Sequence, residues 1–527
     1  MRFSPGPGGS RDRRGGRQPR RLQRVLATVL AMLMLATACA PTGTAAAPSG
    51  SVVPKTGGTL RIGTSTDVLT LDMANYKSGQ DWLIGSLILE PLVSWGSDGA
   101  PHAALAESWS KIDDLTYQFK LRKGVKFTDG TDLTAAAVKQ QFERAAQGLY
   151  GKSYYFMIAS IVADNDTTVT FKLKSPYSPF INNVSIQTGA LLSPAAVTKY
   201  GDNVGRNPVG TGPYKLTSWV QGGEMVLERN PDYWGTKPKL DKIIVKFFAD
   251  ESTRMAALEA GEIDVAQNAP PQRAAELRSS AKLQLIGGTD ARSLYLGFTH
   301  SNPILSKKDV RQAIMSVVDR NALVQNVTEG ITRVSSGFVP PEVVKLDSTP
   351  LKPDLAGAKA LLAKAGYPNG FSIEIWVPIA RYLRGQEITQ ALQQPLKSIG
   401  VDATIKALDY AAFAAGVGRH EAGLYVAAWG FTSNPDSTLR AAFYTNSPGN
   451  WSDYKNPAYD KLLDDAVAQS SYDSTVKLWT QANQLLIDDV AVVPVYWNAA
   501  IYAASKKVHN FVQTPLSLWN LSETWIE

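Results

Sequence analysis

The sequence predicts a mixed α/β protein made of two or three lobes, and three observations support this. The chain has 527 residues, which is more than one hydrophobic core usually organises. Residues 105–144 predict a strand, a turn and a helix in succession. The second half of the chain has the same character, with a helical pattern at 358–364 and a strand pattern at 492–496.

The segment 105–144 shows both periodicities clearly. Apolar side chains at every second position predict a half-buried strand, namely Leu115, Tyr117, Phe119 and Leu121. A polar Thr-Asp-Gly-Thr turn follows, and Thr134 can cap the helix after it. That helix has an apolar face formed by Ala135, Val138 and Phe142.

Further elements follow from the same patterns and from Gly and Pro punctuation. We expect strands at 59–63, 164–173, 243–247 and 424–430. We expect helices at 253–259, 309–324, 358–364 and 390–398, and a helix capped by Ser474.

The positive charge of the chain is confined to its N-terminus. Residues 1–38 contain eight arginines and one acid, Asp12, and the remainder has 46 basic and 46 acidic residues. A neutral body has no electrostatic footprint for nucleic acid, so we expect no such partner.

The N-terminus has the features of an export signal. A basic start precedes an apolar run at 25–36, which is too short to span a bilayer and predicts a signal peptide over residues 1–38. The residues around Cys39, LATAC, resemble a bacterial lipobox, which implies lipid attachment at Cys39. An ordinary signal peptide with an incidental cysteine is the alternative. Residues 39–57 are rich in Ala, Pro, Thr and Ser and predict a flexible tether.

Several ordered motifs carry a family resemblance. They include the segment 105–144, the stretch NPVGTGPY at 207–214 and the stretch GEIDV at 261–265. Together they resemble the family 5 solute-binding proteins of bacterial peptide- and nickel-type ABC importers, over nearly all of residues 58–515. The resemblance implies a three-lobed α/β fold of the periplasmic-binding-protein-like II type, with a hinge between lobes I and III.

The resemblance also implies lobe boundaries. Lobe I would comprise residues 58–92, 204–297 and 497–527; lobe II would comprise 93–203; and lobe III would comprise 298–496.

Residues for catalysis or metal binding are sparse. The four histidines (His102, His300, His420 and His509) show no paired metal-binding spacing, and Cys39 is the only cysteine. The sequence also lacks a nucleophile elbow. We therefore predict no catalytic residues, no metal site and no cofactor, and expect a protein that is not an enzyme.

A binding cleft is the remaining candidate site. The apolar strand at 424–430 ends at Trp429-Gly430 and runs into a polar loop. The resemblance implies that Ala428, Trp429 and Gly430 form the wall and backbone contacts of a bound peptide, which would pair as an added strand. Plain core packing is the alternative for Trp429.

The residues after the strand depart from the family pattern. Peptide-binding members commonly have an Asp three residues after the Trp, where it pairs with the α-ammonium group, and this chain has Thr432. Asp436 is a second candidate contact, with a structural turn role as its alternative. The departure leaves room for blocked peptides, glycosides or metal chelates.

Two further contacts are predicted on other segments. Arg381 could pair with a ligand carboxylate, or could be a solvated surface arginine. Tyr155, with its neighbours Tyr154 and Phe156, could line the opposite lobe, or could belong to the core.

The resemblance implies a function in transport. We expect a lipid-anchored solute-binding subunit on the outer face of the cytoplasmic membrane, capturing oligopeptides or dipeptides for the permease subunits of an ABC importer. The alternatives are the same role with a sugar, glycopeptide or metal chelate as cargo, and a secreted hydrolase or chaperone.

Overall fold

A computed structural model describes residues 54–346, 352–379, 381–431, 433–514 and 516–527, with the backbone alone at 152 and 289. The predictions for the signal peptide, Cys39 and Thr432 lie outside the described residues, as does most of the predicted tether.

The strands divide between one large sheet and several small ones. Their bounds are β1 Thr59–Thr64, β2 Val93–Trp95, β3 Pro101–Ala103, β4 Ala106–Asp113, β5 Thr116–Leu121, β6 Ile158–Asn165, β7 Thr168–Leu173, β8 Tyr214–Trp219, β9 Glu224–Arg229, β10 Lys242–Phe247, β11 Val265–Gln267, β12 Leu283–Phe298, β13 Arg333–Val334, β14 Phe371–Pro378, β15 Val401–Leu408, β16 Leu424–Gly430, β17 Val492–Ser505, β18 Val508–His509, β19 Val512–Gln513, β20 Trp519–Asn520 and β21 Trp525–Ile526.

Fifteen α-helices are found in the described part of the chain. Their bounds are α1 Gly79–Gly85, α2 Ala135–Gln147, α3 Gly151–Tyr154, α4 Phe180–Val184, α5 Pro194–Tyr200, α6 Glu251–Glu259, α7 Ala274–Ser279, α8 Lys308–Met315, α9 Arg320–Asn326, α10 Leu355–Lys364, α11 Gly385–Ser398, α12 Tyr410–Gly418, α13 Pro435–Phe443, α14 Pro457–Val467 and α15 Tyr472–Asp488.

The small-sheet region, which we define as residues 104–200, contains an antiparallel sheet in the order β4-β5-β7-β6. Its core forms as the sequence predicts, because the alternating aromatic residues of β5 pack on Phe142 of α2 and Phe171 of β7. Thr134 caps α2 by accepting a hydrogen bond from the backbone N–H of Ala137 at 3.2 Å.

The large sheet runs in the order β15-β14-β16-β12-β17-β11-β1-β10-β9-β8. Its two longest strands, β12 and β17, are antiparallel partners that cross from one part to the other. We call β1 and β8–β11 with residues 283–289 and 499–505 the first part. The second part comprises β14–β16 with residues 293–298 and 492–497.

Within residues 293–298 and 424–427, the second part of the large sheet is buried on both faces. Leu294 and Leu296 of β12 contribute to one hydrophobic cluster, whereas Tyr295 contributes to another. This division follows from the two-residue period of a strand. The first part has a core of its own around Leu60 and Ile62 of β1.

The loop 207–213 ties the first part to the small-sheet region. The backbone N–H of Thr128 donates to the Gly210 carbonyl at 2.9 Å. Thr211, Tyr233 and Trp234 each donate a hydrogen bond of 2.7 Å to the half-buried Glu90 carboxylate. Burial raises the pKa of Glu90, and these hydrogen bonds oppose the rise.

Three predicted elements differ from those observed. The helix predicted at 309–324 is divided into α8 and α9, because Asp319 caps α9 by accepting from the Ala322 N–H at 2.9 Å. The cap of α15 is Ser471 rather than Ser474, and its Oγ accepts from the Ser474 N–H at 3.2 Å. The strand predicted at 492–496 continues to Ser505, since β12 pairs along its length.

Among the described residues, no helix has both the length and the apolar character needed to cross a bilayer.

Candidate functional site

Strand β16 leaves the core at its C-terminal end. Residues 424–427 are buried, Ala428 and Trp429 are half-buried, and Gly430 is exposed. Pairing with β12 runs along the whole strand, whereas the pairing with β14 involves only Leu424 and Tyr425. The last residues of β16 therefore have one edge that β14 does not cover.

A first cavity of about 720 Å³ lies between the small-sheet region and α13. We call it the aromatic cavity because Tyr154, Phe156, Tyr177 and Trp429 line it, together with Gly430. Phe156 is 47% exposed. Trp429 is held edge-on against Trp451, with ring centroids 6.2 Å apart. Trp429 thus has both a packing contact and a face toward open space.

Asp436 lines the same cavity, but its carboxylate already forms an ion pair with a side chain of the protein. It lies in the first turn of α13, is 4% exposed, and its Oδ2 is 3.2 Å from Nε of Arg440. Burial raises the pKa of Asp436, and the charge of Arg440 opposes this rise. Arg440 also pairs with Asp464 at 2.9 Å. The carboxylate of Asp436 therefore stabilises α13 and its neighbour α14.

Tyr155 does not lie at the cavity wall. It is 3% exposed and packs edge-on against Phe142, with ring centroids 5.3 Å apart, in the core of the small-sheet region. Burial raises the pKa of its hydroxyl. Its neighbours Tyr154 and Phe156 line the cavity instead. Tyr155 follows the single turn of α3 and points toward α2, which places it in the core.

A second cavity of about 600 Å³ lies where β12 and β17 cross between the two parts of the large sheet. We call it the polar cavity because charged and amide side chains line it, among them Asp290, Arg292, Arg381 and Asn498. The β12 ladder is irregular between Thr289 and Ser293. Such irregularities bend a strand and redirect its side chains, and this one lies where Asp290 and Arg292 enter the cavity.

Arg292 and Arg381 come together in a niche of the polar cavity. Tyr382 and Ala428 also line this niche, which has room for about 20 Å³, enough for one water-sized group. Burial raises the pKa of Tyr382, and a hydrogen bond with the Ala428 backbone and the two arginine charges oppose the rise. The niche therefore combines two cations with a phenol.

Neither guanidinium in this niche forms an ion pair with a carboxylate among the described residues. The guanidinium of Arg381 lies over the ring of Tyr410, with Cζ 4.4 Å from the centroid. Two cations near a cavity without an anionic partner form a favourable site for a ligand carboxylate.

The predicted contacts are thus divided between two adjoining cavities. Arg381 and Ala428 line the niche, whereas Trp429, Gly430 and Asp436 line the aromatic cavity. The cavities adjoin because Gly430 and Arg292 are direct partners in the β16–β12 ladder.

Sequence reasoning missed Asp290 and Arg292. Both interrupt an otherwise mainly apolar strand, LQLIGGTDARSLYLGF. Charged residues are seldom buried unless they are paired or functional, so their position inside a strand pattern was the available signal.

Within the described ranges, no group of three or more His, Cys, Asp or Glu side chains is placed to hold a metal ion.

Comparison with known proteins identifies the family. The family model for "Bacterial extracellular solute-binding proteins, family 5 Middle" matches residues 100–451. This chain belongs to that family. The predicted family and fold are thereby confirmed, and the chain is the solute-binding protein of an ABC importer.

Individual family 5 proteins resemble the whole body of the chain. The glutathione-binding protein GsiB of Escherichia coli K12 is 34% identical over 423 residues, covering 77% of this chain and 82% of that protein. HbpA2 from Haemophilus parasuis has a similar structure, with 26% identity, a TM-score of 0.81 and coverage of 89% and 100%. DppA from Helicobacter pylori, in complex with the peptide STSA, has 26% identity, a TM-score of 0.69 and coverage of 90% and 99%.

Family 5 membership has two general consequences. The family is extracytoplasmic, and its members bind small ligands and work with ABC transporter components. Family 5 proteins are binding proteins rather than enzymes.

Proposed function

We propose that this solute-binding protein captures a peptide-like cargo and holds one of its carboxylates between Arg292 and Arg381. The observation that carries the proposal is this pair of arginines in the niche beside Ala428, neither of which has a carboxylate partner within the part of the chain that the structure describes. A peptide-like cargo agrees with the names of two relatives, a glutathione-binding protein and a protein complexed with a tetrapeptide.

The energetics of the niche favour a carboxylate. Each charge-assisted hydrogen bond to an ionised group contributes about 1.5–3 kcal/mol. A guanidinium can also bond a carboxylate through two parallel N–H groups, which fixes its orientation. Two such contacts would orient one end of the cargo where β12 and β17 pass from one part of the large sheet to the other.

Beyond the niche, the cargo would run along the end of β16. The edge of β16 beyond Tyr425 is not paired with β14, which allows main-chain hydrogen bonding to an extended peptide. Trp429 and Gly430 then lead into the aromatic cavity, where Tyr154 and Phe156 offer apolar surface. In this proposal Ala428, Trp429 and Gly430 contact the cargo directly, while Asp436 acts through Arg440.

Isothermal titration calorimetry with glutathione and with di- to tetrapeptides tests the proposal. We expect Arg292→Gln and Arg381→Gln each to weaken binding about 10- to 100-fold, the equivalent of one lost charge-assisted contact. Arg419→Gln is the matched control, since Arg419 is an exposed arginine paired with Glu421 outside both cavities. Unchanged affinity in both niche variants would overturn the proposal.

Native mass spectrometry of the purified protein addresses the cargo class. Co-purified peptides of matched length and mixed sequence would support peptide capture, whereas a sugar, glycopeptide or metal chelate would establish the alternative. We propose binding without chemical change, so cargo recovered after prolonged incubation should have its original mass. Any turnover would support the hydrolase alternative.

We also propose that Cys39 carries the lipid that holds the protein on the outer face of the cytoplasmic membrane, beside its permease. The lipobox-like residues before Cys39 and the neutral body support this. Two or three acyl chains hold a protein on a membrane much more firmly than one chain. Cys39→Ser should release the protein from the membrane fraction, and retention of that variant would contradict lipid attachment.

A further inference from the structure

Asp290 lies in the polar cavity beside the arginine niche, and the proposed function gives it no role. Building on that function, we propose that Asp290 binds the ammonium group of the cargo. The preferred cargo then carries a free amino-acid head, with ammonium and carboxylate on one carbon.

The placement of Asp290 matches such a head. Asp290 and Arg292 are two residues apart in β12, and both line the polar cavity. The side chain of Asp290 is held in place because Asn498 Nδ2 donates to its Oδ2 at 2.7 Å. Among the described residues no side chain donates to Oδ1, and no ion pair joins Asp290 to Arg292. Oδ1 can therefore accept a hydrogen bond from a ligand.

The charge pattern defines the class of cargo. An α-amino acid presents a cation and an anion a few ångströms apart, which Asp290 and Arg292 complement in one strand. Arg381 lines the same niche as Arg292 and binds the same carboxylate from its other side. Peptides with a free γ-linked glutamyl head have this charge pattern, whereas α-linked peptides carry the ammonium group and the carboxylate on different residues.

The acids at the end of β16 do not supply this contact. Position 432 is a threonine, and the carboxylate of Asp436 is paired with Arg440. Glu251 also lines the polar cavity, but it is an exposed residue in the first turn of α6. Asp290 is the acid next to the arginine niche, so the anionic contact has moved from the β16 loop to β12.

Gln80 supplies an independent indication of a polar ligand. Its side chain lines the polar cavity from α1 and is 6% exposed. Its Nε2 atom has no hydrogen-bond partner among the described residues. A buried donor without a partner is costly, and a carbonyl or carboxylate of the cargo would satisfy it.

Calorimetry with matched pairs of probes tests the inference. The pairs are glutathione with N-acetylglutathione, and trialanine with N-acetyltrialanine, which lacks the amino-acid head and serves as the comparison. We expect glutathione to bind at least about tenfold tighter than N-acetylglutathione. We expect this ratio to fall to about one in Asp290→Asn, while the affinity for the acetylated partner stays unchanged.

Glu251→Gln is the matched variant, since it removes the same charge from another wall of the cavity. An equal loss in both variants would overturn the assignment to Asp290. Equal binding of free and acetylated probes, with the Arg292→Gln effect intact, would overturn this inference and leave the proposed function standing. Melting curves of the apo variants show whether each is folded.

Discussion

At the scale of single residues, His300 links folding to pH. Burial, together with the charge of Arg311, lowers the pKa of His300 to about 4. The neutral ring donates Nε2–H to the Ala491 carbonyl at 3.0 Å. In the unfolded chain the imidazole takes up its proton near pH 6.5. The contribution of His300 to stability is therefore complete above pH 6.5 and is lost as the pH falls toward 4.

We predict that His300→Gln reduces the pH dependence of stability. The lowered pKa corresponds to about 3 kcal/mol between pH 6.5 and 4. Urea unfolding at pH 7.5 and 4.5 should show that the wild type loses about 2 kcal/mol more than the variant. All other titrating groups are shared by the two proteins, so their contributions cancel. An equal loss in both would show that His300 does not carry the effect.

Sequence reasoning about single residues placed some cavity-lining side chains and missed others. Trp429 and Gly430 were predicted from a strand end and a family pattern, Arg381 from its position near the start of a helix, and all three line cavities. Arg292 was missed because its position depends on the ladder irregularity in β12, which is set by pairing with a distant strand. For Tyr155 the sequence left a cavity wall and the core open, because a single helical turn such as α3 gives no periodicity from which to judge its face; the structure places Tyr155 in the core.

At the scale of elements, a buried seam of hydrogen bonds joins the small-sheet region to α14 and α15. Ser178 Oγ donates to the Ala466 carbonyl at 2.9 Å, and the hydroxyls of Ser178 and Thr475 are 2.6 Å apart. The Ser178 backbone N–H donates to the Val467 carbonyl at 2.8 Å. Thr475 is fully buried and Ser178 is 8% exposed. Hydroxyl groups of residues almost 300 positions apart in sequence thus form a hydrogen bond with each other in a buried position.

We predict that Ser178 and Thr475 are energetically coupled. Ser178→Ala and Thr475→Val should each destabilise the protein by about 1–2 kcal/mol, because each leaves a buried hydroxyl short of a partner. The double variant should cost less than the two single variants together, with a coupling of about 1 kcal/mol. Urea unfolding of the wild type, the two single variants and the double variant measures this coupling as a double-mutant cycle. Strict additivity would mean that the two hydroxyls act independently.

Elements with strong local signals were predicted well, while those shaped by distant contacts were not. Strand β5 and helix α2 have clear periods and a capping threonine, and both form near their predicted bounds. The length of β17 was underestimated because Asn498 interrupts its apolar pattern two residues after the predicted end. Pairing with β12 nevertheless continues from Ala499 to Ser505.

At the scale of the whole molecule, the two parts of the large sheet are linked by β12 and β17, and the polar cavity lies at their crossing. We predict that cargo closes the two parts around this crossing. A ligand shifts such an equilibrium only through contacts that differ between the open and closed forms. Arg292 directly precedes the second part on β12 and lines one niche with Arg381, so these two can hold cargo before closure. Gln80 belongs to α1, which packs in the core of the first part, so its contact with cargo forms only when the cavity closes.

Gln80→Leu should therefore separate binding from closure. We expect the apo protein to keep its stability or gain slightly, because an amide nitrogen without a partner is removed from a buried position. Small-angle X-ray scattering with saturating cargo should show a decrease in the radius of gyration for the wild type, and a smaller decrease for Gln80→Leu. Arg381→Gln should need more cargo but reach the full decrease at saturation, because it weakens capture and leaves the closing contacts intact. The opposite pattern, with full closure in Gln80→Leu and reduced closure in saturated Arg381→Gln, would place the closing contacts on the arginine side of the cavity.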